Sequence, residues 1–285
     1  LESGYIQPFL ENRHLSLFSG VDVTERPDTL CGKITEGRIG VLVDGTPFVL
    51  VIPYLFVEHF QSMDDYALNP YYATFLRLIK YFSFFVSMLL PGIYVAVGTY
   101  HPEMFPPVLL LSFLNANQAT PFPLMVEALM IHFLFEIMRE AGLRFPKSVG
   151  HAVSIVGALV IGESAVRAGL VGAPMVIIVA MTAMSSFVIP SLYGAMAILR
   201  FGFILLGGSL GLYGVMLGVC LFVCSICAMN IQSIPYMAPL SPFSPKAMLD
   251  VLIRADWRKL WKQKFRVQNV PGSQIASHQP DSKEE

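Results

Sequence analysis

The chain has 285 residues, of which 54% are hydrophobic, with a mean hydropathy of +0.60 and a net charge of −1. That is too apolar for an ordinary soluble domain, and its four cysteines do not make a disulfide framework. The charges are segregated: only ten lie between Tyr81 and Asn230, and Leu170–Leu199 and Phe201–Met229 carry none. Runs of about 18 or more apolar residues are long enough to cross a bilayer, so the sequence reads as a polytopic integral membrane protein.

Residues 1–70 read as the C-terminal part of a soluble, cytoplasmic α+β domain whose N-terminus lies outside this sequence. No charged segment followed by a short apolar stretch and a cleavage site marks a signal peptide. Pro27 and the polar run Asp22–Asp28 predict a loop. Arg38–Val43 and Thr46–Pro53 are β-rich runs separated by Asp44-Gly45, a strong hairpin signal. Gln61–Pro70 is a polar approach to the membrane. Tyr71–Tyr81, with Arg77 and Lys80 among aromatic and aliphatic residues, fits an amphipathic interfacial helix.

Spans are expected near 82–100, 122–138, 149–168, 171–189, 191–208 and 211–230. Glu103–Asn117 is short for a crossing at about 1.5 Å per residue and reads as re-entrant or interfacial. Basic clusters stand at Arg77/Lys80, at Arg139/Arg144/Lys147 and in 246–266, where seven bases face two acids. The last cluster reads as a juxtamembrane segment, not a nucleic-acid site. Placing all three clusters in the cytoplasm requires an even number of crossings between them; two before Arg139 and four after Lys147 satisfy this, which leaves both termini cytoplasmic. The fold class expected is therefore mostly α: a polytopic membrane helical bundle of about six spans, preceded by part of a soluble α+β domain. Its parts are 1–70, a transmembrane domain over 71–231, and a basic cytoplasmic tail over 232–285 with a disordered end.

Glu127, His132, Glu136, Arg139 and Glu140 fall on one predicted helix. His132, Glu136 and Glu140 are spaced i, i+4, i+8 and share a face, and Glu136 can also pair with Arg139 at i, i+3. Ionisable groups at membrane depth face water-filled cavities or one another. The face is therefore either the lining of an ion path or an amphipathic helix with structural ion pairs. Glu163 and Arg167, at i, i+4, read as a structural pair. Arg200 stands isolated in its apolar surroundings, where it either snorkels to headgroups or faces another subunit. Cys224 and Cys227 form a C-x-x-C in an apolar run and read as small hydrophobes. There is no phosphate-binding loop, no strand-linked G-x-G-x-x-G, no metal-ligand cluster and no G-x-S-x-G. No enzyme activity, cofactor or metal is expected.

Several collinear segments resemble the A subunit of the bacterial spore germinant receptors, the GerA family. They are Thr24-Glu25-Arg26-Pro27-Asp28, Glu36-Gly37-Arg38 with Val43 to Phe48, Pro91-Gly92-Ile93-Tyr94-Val95-Ala96, Pro121-Phe122-Pro123 with Glu127, Glu136 to Gly142 with Pro146, Val156 to Gly162 with Ala165-Val166, and Pro235-Tyr236-Met237-Ala238-Pro239. The resemblance implies an integral protein of the spore inner membrane, partnered by a permease-like B subunit and a lipoprotein C subunit. It also implies a homo-oligomer, a pentamer, forming a nutrient-gated channel that releases monovalent cations early in germination. The stage V sporulation AF protein is a close relative within the family. Where the family usually has a basic residue before Pro121-Phe122-Pro123, this chain has Asn115 to Thr120, so the charge at a pore mouth differs.

A pore needs a polar or small-residue face and weak ion sites. Asn115, Asn117, Gln118, Glu127, His132 and Glu136 are the lining candidates, with Gly157, Ala158 and Gly162 as close-packing positions. The alternatives are a non-conducting membrane scaffold that relays a partner's signal, or a secondary transporter. No internal repeat supports the transporter.

Overall fold

The computed structural model describes residues 3–11, 16–118, 120–146, 162–244, 247–254, 267 and 273. Near the N-terminus three strands, β1 (Asp22–Thr24), β2 (Ile39–Leu42) and β3 (Val49–Ile52), form an antiparallel sheet in the order β1-β3-β2. The Asp44-Gly45 turn joins β2 to β3 as the sequence predicts. Gly45 takes φ +86°, a left-handed value open to glycine, and Ile39 stands opposite Ile52. β3 is central, so its Leu50, Val51 and Ile52 are buried.

The polar run Asp22–Asp28 is not a loop. Its first residues are β1, and helix α1 (Pro27–Thr35) follows, with Pro27 in the first turn, where its missing N–H is not needed. Three residues are too few to show a period of two, and the partner strand that stabilises them lies 27 residues on, at Val49–Val51.

The chain divides into two compact units: residues 1–81 with 221–285, and residues 82–220. In the first, strands β4 (Asn230–Ile231) and β5 (Ile234–Pro235) pair. The Phe56 N–H donates to the Tyr236 carbonyl at 3.0 Å. Leu55, Val57, Ile234, Val251 and Val267 share one apolar core, and Phe18, Phe56, Phe60 and Tyr236 are buried aromatics. Residues 232–254, expected as part of a tail, thus join the N-terminal residues. Their Ile234, Tyr236 and Val251 are apolar and gain by burial.

The second unit holds, among the described residues, α3 (Pro107–Gln118), α4 (Leu124–Arg144), α5 (Ala173–Phe187) and most of α6 (Tyr193–Cys227), and α2 (Pro70–Tyr100) enters it from the first. The expected interfacial helix and first span are one continuous helix, α2, which carries Pro91 inside it. Within α6, Gly211 is non-helical at φ +66°, ψ −151°. In a straight helix residues 203 and 218 would lie about 22 Å apart. Instead a Cβ on Gly218 would meet the Phe203 ring at 2.8 Å. The chain therefore doubles back at Gly211, close to the boundary expected between 191–208 and 211–230.

α2 and the first half of α6 run parallel. Ser87 meets Met196 and Arg200, Gly92 meets Phe203, and the Tyr100 hydroxyl donates to the Gly208 and Ser209 carbonyls. α4 runs antiparallel to that half, with Met125 beside Gly208 and Glu136 beside Tyr193 and Arg200. Among the described residues, Pro70–Tyr100 and Pro190–Cys227 are long and apolar enough to cross a membrane, and Ala173–Phe187 is apolar but shorter. Of the expected span at 149–168, residues 149–161 lie outside the described residues, as do Gly157 and Ala158; residues 162–167 are helical.

Candidate functional site

Helix α4 carries the polar residues of the second unit. It starts after Pro123, whose fixed φ suits a helix entry, and ends at Arg144 before Pro146. Glu127 is 1% exposed. Its Oε1 accepts the Gly172 N–H at 2.7 Å, so it caps the N-terminus of α5, where an anion is favoured. Among the described residues its Oε2 has no hydrogen-bond partner.

One and a half turns on, His132 is fully buried. Its Nδ1 lies 2.9 Å from the Ala128 carbonyl oxygen, so this nitrogen carries the proton and donates. Its Nε2 lies 3.5 Å from Thr182 Oγ1, whose own proton goes to the Val179 carbonyl at 2.8 Å.

Glu136 accepts the Tyr193 hydroxyl at 2.8 Å and lies 3.5 Å from Arg200 Nη1. The expected pairing with Arg139 is present but long, at 3.9 Å. Arg139 instead stacks over the Tyr193 ring at 3.2 Å from its centroid. Arg200 is not isolated. It is fully buried, and its Nε donates to the Ser87 carbonyl at 3.0 Å. The charge that meets it lies on another helix, which inspection of its own run cannot reveal. Glu140, placed by spacing on the face of His132 and Glu136, pairs with Arg144 at 2.8 Å on an exposed surface. Glu163 and Arg167 pair as expected, at 2.6 Å and also exposed.

Asn115 is exposed and Asn117 half-buried, and the Asn117 carbonyl accepts the Thr120 N–H and hydroxyl. The side chain of Gln118 lies outside the described residues. No hydrogen bond among the described residues joins the side chain of Asn115 or Asn117 to Glu127, His132 or Glu136. Ser87, Gly172, Thr182 and Tyr193 complete the polar constellation, and no motif announces them. Cys31, Cys220, Cys224 and Cys227 are exposed free thiols. Among the described residues no group of three or more His, Cys, Asp or Glu is placed to hold a metal ion.

The first unit has two buried charge clusters. Glu58 accepts Lys33 Nζ at 2.7 Å and the Leu55 N–H at 2.9 Å, and it pairs closely with Arg38, which also pairs with Glu36. Burial pushes the Glu58 carboxyl up, but Arg38 and Lys33 outweigh it and hold it below its ordinary value. Burial holds the neighbouring His59 down to about 4. In the second cluster Arg77 meets Asp65 at 3.3 Å and Asp250 at 3.0 Å, and the Tyr66 hydroxyl donates to Asp250 at 2.7 Å. Burial and Asp250 together push the Tyr66 phenol well up.

The family described as Bacillus/Clostridium GerA spore germination protein matches residues 1–265. The chain is 45% identical over 272 residues to Spore germination protein KA of Bacillus subtilis (strain 168), covering 95% of this chain and 49% of that protein. It is 44% identical over 259 residues to Uncharacterized membrane protein YfkQ of the same organism, with 90% and 50% covered. It is 39% identical over 256 residues to Spore germination protein GerLA of Bacillus cereus, with 89% and 52% covered. The chain thus spans about half the length of these relatives. No solved structure matches it.

Proposed function

The chain belongs to the GerA family of spore germination proteins, and on that premise we propose that it is the A-type subunit of a nutrient germinant receptor in the spore inner membrane. In this reading several copies, five by family resemblance, assemble into a gated channel that releases monovalent cations. A permease-like B subunit and a lipoprotein C subunit are its partners. The observation that carries the channel reading is the set of ionisable groups that α4 holds within a largely apolar unit. Glu127 and His132 are buried there and Glu136 is half-buried, with no metal-binding cluster beside them among the described residues. Ionisable groups kept at such depth mark ion paths more often than chance. Asn115, Asn117 and Gln118 extend the same reading to a pore mouth.

A bundle of six crossings with both termini cytoplasmic is supported by the helix directions. α2 and the first half of α6 run one way, α4 runs the other, and α6 reverses at Gly211. A second reading, a non-conducting scaffold, is favoured by the bonds these same groups make. Glu127 caps α5, and Glu136 neutralises Arg200.

Recording from the full-length protein in planar bilayers under potassium and sodium gradients, beside Glu127→Gln, separates the two. The channel reading expects cation-selective steps whose conductance or selectivity changes in the variant while assembly is kept. An assembled oligomer that passes no current, or a variant that loses only assembly, favours the scaffold.

A further inference from the structure

Residues 70–81 of α2 have two unlike faces. On one, Ala73 and Arg77 are fully buried one turn apart, and Arg77 is held by Asp65 and by the carbonyl and carboxylate of Asp250. Lys80 reaches the same Asp65 at 3.5 Å, and Thr74 accepts the Arg254 N–H at 3.1 Å. On the other face Tyr71 is 87% and Phe75 57% exposed, and Tyr72, Leu78 and Ile79 are exposed with them. At 100° per residue these five fall within an arc of about 120°. Among the described residues of its own unit the stripe is therefore left exposed, while the opposite face is locked by buried charge. The rotation of the helix, and so the direction of the stripe, is fixed.

Length indicates what covers it. α2 has 31 residues, about 46 Å at 1.5 Å each, against a hydrocarbon core of about 30 Å. From Tyr81 to Pro102 the sequence is uncharged, which accounts for the core. The eleven residues before Tyr81 extend about 16 Å further, through a headgroup layer of about 5–7 Å and about 10 Å past it. Aromatic side chains, tyrosine among them, are the ones favoured at that level. The bases Arg258, Lys259, Lys262, Lys264 and Arg266 follow Arg254 in sequence and favour the cytoplasmic leaflet.

We propose that the stripe of Tyr71, Tyr72, Phe75, Leu78 and Ile79 is a lipid-contact surface. Ile79 and Leu78 lie at the acyl boundary, Phe75 at the outer edge of the headgroups and the two tyrosines at the aqueous end of the stripe, with the Arg77–Asp65–Asp250 cluster fixing the direction of that face. The inference rests on reading α2 as a membrane span, and the test separates the two.

In full-length protein with Trp257→Phe and Trp261→Phe, single reporters Ile93→Trp, Ile79→Trp, Phe75→Trp and Tyr71→Trp are reconstituted in phosphatidylcholine–phosphatidylglycerol vesicles. The vesicles contain lipids brominated high on their acyl chains. Bromine is expected to quench Ile79→Trp most within the stripe, Phe75→Trp less and Tyr71→Trp least, with emission moving to longer wavelength in the same order. Ile93→Trp, well inside the span, reports chain bromine placed deeper. If Ile93→Trp loses intensity to deep bromine while the stripe reporters lose none, the span stands and the lipid-contact surface is overturned. If cysteines placed at the same positions, in a chain with Cys31, Cys220, Cys224 and Cys227 changed to Ser, then couple between copies through a bifunctional thiol reagent, another subunit is the cover. If Ile93→Trp itself is unquenched, the span reading fails and the inference fails with it.

Discussion

Removing the negative charge from Glu136 should destabilise the protein more than removing the positive charge it balances. Arg200 is fully buried, with Glu136 at 3.5 Å and the Ser87 carbonyl at 3.0 Å as its contacts. At 3.5 Å and an effective dielectric of about 20, a unit charge pair attracts by about 5 kcal/mol. The Glu136 side chain is 21% exposed, and water near it reduces this to about 2–3 kcal/mol. Glu136→Gln keeps an oxygen for the Tyr193 hydroxyl but leaves the guanidinium uncompensated, at a cost of about 3 kcal/mol. Arg200→Met fills the same space with apolar atoms and leaves Glu136 with Tyr193, Arg139 and water, costing about 1 kcal/mol or less. The double variant should return to within about 1 kcal/mol of the parent, a coupling of about 3 kcal/mol. Thermal unfolding of the detergent-solubilised protein reads this as a fall of roughly 6–12 °C for Glu136→Gln alone. Arg200→Met costing as much as Glu136→Gln, with the double variant equal to their sum, would refute the reasoning.

Gly92→Leu should unfold or misassemble the second unit, because even a Cβ there meets the Phe203 carbonyl oxygen at 2.7 Å; a loss of at least about 1–3 kcal/mol should appear in the same melt. Glu58→Gln removes the partner of two cations, Arg38 and Lys33, and should cost about 3–5 kcal/mol by thermal unfolding at neutral pH. Because the Glu58 value is lowered in the folded chain, its contribution is complete above its unfolded value and fades as the pH falls through the folded one; melts across acid pH should therefore fall less steeply in Glu58→Gln than in the parent. His59 is held at about 4 from 6.5, so the folded chain resists its protonation. Stability from this group should be lost as the pH drops from about 6.5 towards 4, and melts of His59→Gln should show a shallower decline over that window.

The apolar helices were legible because long uncharged runs are a local signal, and the β2–β3 hairpin because Asp44-Gly45 marks it. The start of the reversal in α6 was readable to within a few residues, since the glycines and the uncharged sequence after Arg200 suit two helical segments better than one. Other features depend on partners distant in sequence. β1 is three residues long and exists by pairing with β3. Arg200 looked unpaired because its counter-charge lies 64 residues earlier, on α4. Residues 232–254 looked like the start of a tail because the hydropathy that places them is shared with Leu55 and Val57. On α4 the helical period put His132 and Glu136 on one side, whereas Glu127, five residues before His132, stood out only as an ionisable residue on the same helix. Glu140 follows the same period, but the last turns of α4 are exposed and it pairs there with Arg144.

The joining of residues 1–81 with 221–285 into one unit bears on how the protein is made. Leu55 and Phe56 emerge from the ribosome well before Ile234 and Tyr236, the side chains that cover them. At about 5–20 residues per second the wait is roughly ten to forty seconds. Throughout it the intervening helices are made while the core of the first unit stands incomplete, with Leu55 and Phe56 open to chaperones. A ribosome stalled anywhere before residue 254 would therefore release a chain whose first unit is unfinished however well its later helices have formed, and quality control would meet the defect at the end of the chain made first.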